Sequence, residues 1–77
     1  PQLTHAVLND PTSEATPRVE LCAKDARSGR RIHVFTLTAK SGGPKFAKVA
    51  SSVQRAINEA SPPMTKAAAI AMRDKLR

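Results

Sequence analysis

Between Arg18 and Ala39 apolar and polar side chains alternate with a period of two. Val19, Leu21 and Ala23 alternate with Glu20, Cys22 and Lys24, the pattern of a strand with one buried face. The run Ile32-His33-Val34-Phe35-Thr36-Leu37-Thr38 is rich in β-formers, so residues 18–39 are predicted to form a β-hairpin. Its register follows from which side chains meet. A two-residue Ser28-Gly29 turn would set Val19 and Leu21 against Thr38 and Thr36 and waste the apolar face. A three-residue loop, Arg27-Ser28-Gly29, sets Leu21 opposite Phe35 and Val19 opposite Leu37. It also puts Gly29 last in the loop, where the backbone must be left-handed. The same register pairs Asp25 with Arg31, Cys22 with Val34 and Ala23 with His33.

Residues 3–8 read as a further short strand with weak alternation. Residues 9–17, with two prolines and an Asn-Asp-Pro turn signal, read as a loop. After a break at Lys40-Ser41-Gly42-Gly43-Pro44, a helix is predicted over 44–60. Phe46, Val49, Ala50, Val53, Ile57 and Ala60 share one face, and Lys45, Lys48, Ser52 and Arg55 another. Pro44 suits a first helical turn. Ser61-Pro62-Pro63 is predicted to end this helix and cap the next, which runs from Pro63 to about Leu76. That helix is Ala-rich, with a narrow apolar stripe of Ala68, Ala69, Met72 and Leu76, and with Lys66, Ile70, Arg73 and Arg77 on another side. The expected fold is α+β: an antiparallel sheet of two or three strands followed by two helices, in the order β-β-β-α-α.

Size limits the core. The 77 residues are expected to form one small domain, residues 1–77; with Pro1 first, either an initiator Met is removed or the chain is a fragment of a longer one. Thirteen of the apolar residues are Ala, and Phe35 and Phe46 are the only aromatics. Cys22 is the only cysteine, so no intramolecular disulfide and no cysteine-rich metal cage can form. Missing burial of this kind is made up by association, and a homodimer or docking onto a parent chain is expected. A lone thiol fits a reducing, cytoplasmic setting. No apolar run approaches the ~18 residues of a membrane span.

Charge gives the chain its functional direction. Residues 1–26 carry a net of −2, residues 27–77 a net of +9, and the whole chain +7. From Arg27 to Arg55 there are Arg27, Arg30, Arg31, Lys40, Lys45, Lys48 and Arg55, with no acid between them. A one-sided excess suits a polyanion, because each neutralised phosphate releases condensed counterions. The hairpin tip Arg27-Ser28-Gly29-Arg30-Arg31 carries more arginine than a turn requires, and two-stranded ribbons can enter a major groove. A solvated turn whose arginines oppose edge-to-edge sheet pairing is the plainer reading. Lys45, Lys48 and Arg55 on one helix face form a second candidate surface. The expected function is nucleic-acid binding, DNA favoured, through phosphate contacts from Arg27, Arg30, Arg31, Lys45, Lys48 and Arg55. The alternative is a protein-interaction or oligomerisation domain with an acidic partner.

Other chemistries find little support. Ser41-Gly42-Gly43-Pro44-Lys45 lacks the Gly-x4-Gly-Lys-Ser/Thr spacing of a nucleotide-hydrolysing loop; it reads as a strand-to-helix connection with at most one phosphate contact. Cys22 and His33 are the tempting nucleophilic pair, but the three-residue register puts them on opposite faces. His5 and His33 have no metal-ligand spacing, and the acids are scattered. A non-enzymatic domain is expected, with no metal, cofactor, small-molecule substrate or membrane partner. Phe35 and Phe46 fall on apolar faces, and without Tyr or Trp a base-stacking binder of single strands is disfavoured.

Overall fold

The computed structural model of the chain describes residues 1–9 and 17–77. Strands β1 (Gln2–Asn9), β2 (Arg18–Asp25) and β3 (Arg31–Thr38) form an antiparallel meander. A single helical turn α1 (Ala39–Gly42) and a 3₁₀ turn (Gly43–Lys45) lead into α2 (Phe46–Glu59). A two-residue strand β4 (Met64–Thr65) and helix α3 (Lys66–Leu76) complete the chain, and the sheet order is β3-β2-β1-β4. The α+β class and the antiparallel sheet are as expected. The strand and helix numbers are not: the sheet has four strands, and three helices follow the meander with β4 between the last two. β4 pairs with β1 through Gln2↔Thr65 and Leu3↔Met64; two residues are too few to display a period. Of the loop expected over 9–17, Asn9 belongs to β1, and residues 10–16 lie outside the described residues.

The β2–β3 register agrees with expectation at Val19↔Leu37 and Leu21↔Phe35 and then shifts. Cys22 faces His33, Ala23 faces Ile32 and Lys24 faces Arg31. Val34 is the extra residue of a β-bulge. The reason lies in the core: Val34 and Phe35 are consecutive, yet both are buried, which a regular pleat cannot arrange. The shift lengthens the hairpin loop to Ala26-Arg27-Ser28-Gly29. The Asp25 N–H donates to the Arg30 carbonyl and the Gly29 N–H to the Asp25 carbonyl, each at 2.8 Å. Gly29 is left-handed, φ 71°, as expected, but it closes a four-residue loop. The expected Asp25–Arg31 pair is replaced by Lys24–Arg31.

A second bulge, between Leu3 and His5 in β1, lets Leu3 and Ala6 both reach the core although they are three residues apart. The weak alternation of this strand has the same cause. Beyond β4, the β1 edge is closed by side chains of α2. The Ala6 N–H donates to Asn58 Oδ1 at 2.6 Å, and Ala6 O accepts from Gln54 Nε2 at 3.0 Å and Asn58 Nδ2 at 3.3 Å. Two amide side chains thus stand in for a neighbouring strand.

Helices α2 and α3 cover one face of the sheet. Helix α2 buries Val49, Ala50, Val53 and Ile57 against Leu3, Leu21 and Leu37. Helix α3 starts later than expected, because Thr65 rather than Ser61 is its N-cap and accepts from the Ala68 N–H at 3.1 Å. Its inward face is also rotated from the expected stripe. Ala69 is buried, Ile70 and Met72 are half-buried against the core, and Ala68 and Leu76 are exposed. Arg73, expected on the charged side, lays its guanidinium over the Phe35 ring at 5.2 Å, a cation–π contact.

Gly29 offers a test of the hairpin. Nothing lies within 4 Å of a Cβ built at this position, so substitution meets backbone strain and no clash. Gly29→Val should lower unfolding free energy by about 1 kcal/mol or more, measured by urea denaturation. A variant as stable as the parent would contradict the left-handed loop.

Candidate nucleic-acid interface

The six basic residues singled out from the sequence fall at three places. Arg27 and Arg30 are exposed in the hairpin loop, whose backbone is held by its own side chains. The Arg27 N–H donates to Asp25 Oδ1 at 3.0 Å and the Arg30 N–H to Ser28 Oγ at 3.2 Å. Arg31 begins β3 and belongs to the sheet face that no helix covers. Lys45 and Lys48 line a hollow of about 180 Å³ between α2 and the end of α3, with Val49, Ser52 and Leu76. Arg55 lies farther along α2 on a shallow surface that also holds Glu59, one turn on. The Glu59 carboxylate makes that end of the helix less purely basic than the lysine end.

These groups do not form one patch. Arg31 and Thr38 mark the two ends of an eight-residue strand, roughly 23 Å apart. The tip arginines extend beyond the first end, and the chain enters α1 and then reaches Lys45 from the second. What the groups share, among the described residues, is that no acid forms an ion pair with them. Among the described residues the ion pairs are Arg73–Asp74 at 2.8 Å and Arg77–Asp74 at 3.9 Å, so none of the six basic residues is in one.

The glycine-rich segment before α2 offers less to an anion than its composition suggests. Ser41 is committed to a capping box, its N–H donating to Thr38 Oγ1 at 3.1 Å and its Oγ accepting from the Thr38 N–H at 2.9 Å. Lys45 occupies the N-cap position of α2 without a side-chain cap.

The uncovered sheet face holds what the sequence did not reveal. Alternation and the two bulges set three rows across β1, β2 and β3: Asn9–Glu20–Thr36, Val7–Cys22–His33 and His5–Lys24–Arg31. Cys22 and His33 are therefore cross-strand neighbours, and their expected separation onto opposite faces is corrected by the Val34 bulge. Their polar atoms are engaged with other partners. The Cys22 thiol donates to Glu20 Oε1 at 3.4 Å, and His33 Nε2 is hydrogen-bonded to Thr36 Oγ1 at 2.8 Å. Burial above all pushes the Cys22 thiol pKa up; the Glu20 carboxylate adds to the shift and Arg31 opposes it. A thiol held protonated is a weak nucleophile.

Phe35 is buried and Phe46 half-buried on the helical side, so neither is available for base stacking. Among the described residues no group of three or more His, Cys, Asp or Glu is placed to hold a metal ion, and no helix is long and apolar enough to cross a membrane. Comparison of the chain with known protein families, curated proteins and solved structures finds no match.

The state of Cys22 is measurable. In the folded protein at pH 8 a disulfide reagent such as DTNB should modify it at least ~10-fold more slowly than a free thiol of ordinary pKa near 8.5. Denaturant should restore the full rate. Equal rates in folded and unfolded protein would contradict both its burial and the raised pKa.

Proposed function

We propose that the chain binds nucleic acid, with duplex DNA favoured, through contacts to backbone phosphates led by the hairpin tip. The observation that carries this reading is the presentation of Arg27 and Arg30. Both are exposed on a loop held by its own hydrogen bonds, adjoin Arg31, and meet no acid in an ion pair among the described residues. Asp25, the nearest acid in sequence, commits one carboxylate oxygen to the loop backbone. Arginines beyond the end of a two-stranded ribbon suit groove or phosphate contact. Lys45, Lys48 and Arg55 supply a second, separate contact region. The reading needs no cofactor and no catalysis, and it places the protein in the cytoplasm, where a lone thiol stays reduced.

A second reading is supported by the sheet edge. β3 is the outermost strand on its side and eight residues long, a template for pairing with another chain. A homodimer, or an acidic protein partner, would then use this edge, and the positive charge would serve solubility or that partner.

Fluorescence anisotropy with a generic duplex at two salt concentrations separates the readings. Replacing Arg27, Arg30 and Arg31 together by Ala should weaken binding ~10-fold or more with the fold intact. It should also flatten the log K against log salt slope by roughly 0.9 for each phosphate that is no longer neutralised. Neutralising Lys45, Lys48 and Arg55 should weaken binding further and independently. No binding by the parent domain below ~100 µM would decide for the interaction reading, since non-specific binding by basic proteins reaches 10⁻⁴–10⁻⁶ M.

A further inference from the structure

We infer that the row His5–Lys24–Arg31 on the uncovered face of the sheet is a phosphate-binding rung that continues the hairpin-tip arginines, so that the backbone of a DNA duplex lies across the tip end of this face. The inference rests on the nucleic-acid reading above. The register sets His5 directly opposite Lys24 and Lys24 directly opposite Arg31. Neighbouring strands are ~4.8 Å apart, so the three Cα positions span roughly 10 Å. Like charges directly opposite one another across strands are destabilising, and here two permanent cations are paired that way with a histidine beside them. No acid in the row relieves them. Asp25 projects to the other face and accepts from the Arg27 N–H. Glu20 lies two rows away and accepts from the Cys22 thiol, which the Arg31 side chain also meets; Lys24 and His5 have no such neighbour in their row.

Edge protection does not explain the arrangement. Charges on an outer strand prevent unwanted pairing, but β2 is an interior strand, so Lys24 protects no edge. The row instead borders a hollow of about 110 Å³ lined by His5, Val7, Cys22, Ala23, Lys24 and Arg31. That is roughly the volume of three or four water molecules, enough for one phosphate group. Val7, Cys22 and Ala23 contribute an apolar lining, which strengthens the pull of the flanking cations by lowering the local dielectric. The row is also continuous with the tip. Arg31 follows Arg30, Lys24 precedes Asp25, and Arg27 and Arg30 lie just beyond. Among the described residues this face carries no Phe, Tyr or Trp; its ring side chains are the imidazoles of His5 and His33, and His33 is hydrogen-bonded to Thr36, so the cations of the row suit phosphates better than stacked bases.

The experiment uses three single variants, Lys24→Glu, Lys24→Gln and Lys75→Gln, with Lys75 an exposed lysine of α3 that controls for net charge. Thermal midpoints of the free proteins and anisotropy with a 20-base-pair duplex are measured at 50 and 150 mM salt. Lys24→Glu should raise the midpoint by about 2–5 °C, because it converts the repulsive row into an attractive one, and should weaken duplex binding ~10-fold or more. Lys24→Gln should weaken binding ~3-fold and flatten the salt slope by roughly 0.9, and Lys75→Gln should bind within 2-fold of the parent. If both Lys24 variants bind like the parent while a variant with Arg27 and Arg30 replaced by Ala loses affinity, the rung is overturned and the tip reading stands. If Lys75→Gln loses as much as Lys24→Gln, the effect is one of net charge and the rung is overturned. Tighter binding to a single strand or to RNA of the same length overturns the duplex as its occupant. A parent that binds no duplex below ~100 µM removes the nucleic-acid reading and the rung with it.

Discussion

The pairing of Leu21 with Phe35, and the extra residue that follows it on β3, decide most of what this chain can present to a partner. Val34 and Phe35 both need the core, and a regular strand would send one of them outward. The bulge lets both turn inward, and every pair between it and the hairpin tip moves by one residue as a consequence. Lys24 thereby meets Arg31, Cys22 meets His33, and the loop gains Ala26. A core requirement at one position thus sets the electrostatics of the opposite face and the shape of the arginine tip.

The rest of the fold is arranged around a small core. Among the described residues the largest fully buried side chains are Leu3, Leu21, Leu37, Val53 and Ile57, and a chain of this size is marginal in the surface it can bury. Edge closure is therefore assigned to side chains: Asn58 and Gln54 of α2 satisfy the Ala6 backbone where β4 is too short to reach. Helix α3, mostly alanine, gains its hold from Ala69, Ile70 and Met72 and from the Arg73 guanidinium over Phe35. The Arg73–Asp74 pair beside it is half-exposed on the acid side, where an ion pair contributes little. All of this packing lies on one face of the sheet, and among the described residues no helix covers the other.

The hairpin, the α2 helix and the apolar faces of β2 and α2 were legible because each repeats its period over eight or more residues. Val19, Leu21, Val49, Val53 and Ile57 could be placed inside from spacing alone. The bulges at Thr4 and Val34 were not legible, since a bulge is a compromise between neighbours on different strands and leaves no local signature beyond weakened alternation. β4 was missed because pairing with Gln2 and Leu3, not any pattern in Met64-Thr65, makes it a strand. Of the basic surface, the tip could be read directly from Arg27, Arg30 and Arg31 around Gly29. Lys24 could be assigned to the polar face of β2. Its alignment with both His5 and Arg31 required the two bulges, and so required the structure.

The exposed cation row exists only if Val34 is the unpaired residue, so everything presented on the open face depends on the register between β2 and β3. Nuclear Overhauser effects across the two strands in isotopically labelled protein measure that register directly. Cross-strand effects should link Leu21 with Phe35, Cys22 with His33 and Lys24 with Arg31. Effects linking Cys22 with Val34 and Asp25 with Arg31 would show an uninterrupted ladder, returning His33 to the other face and dissolving the row.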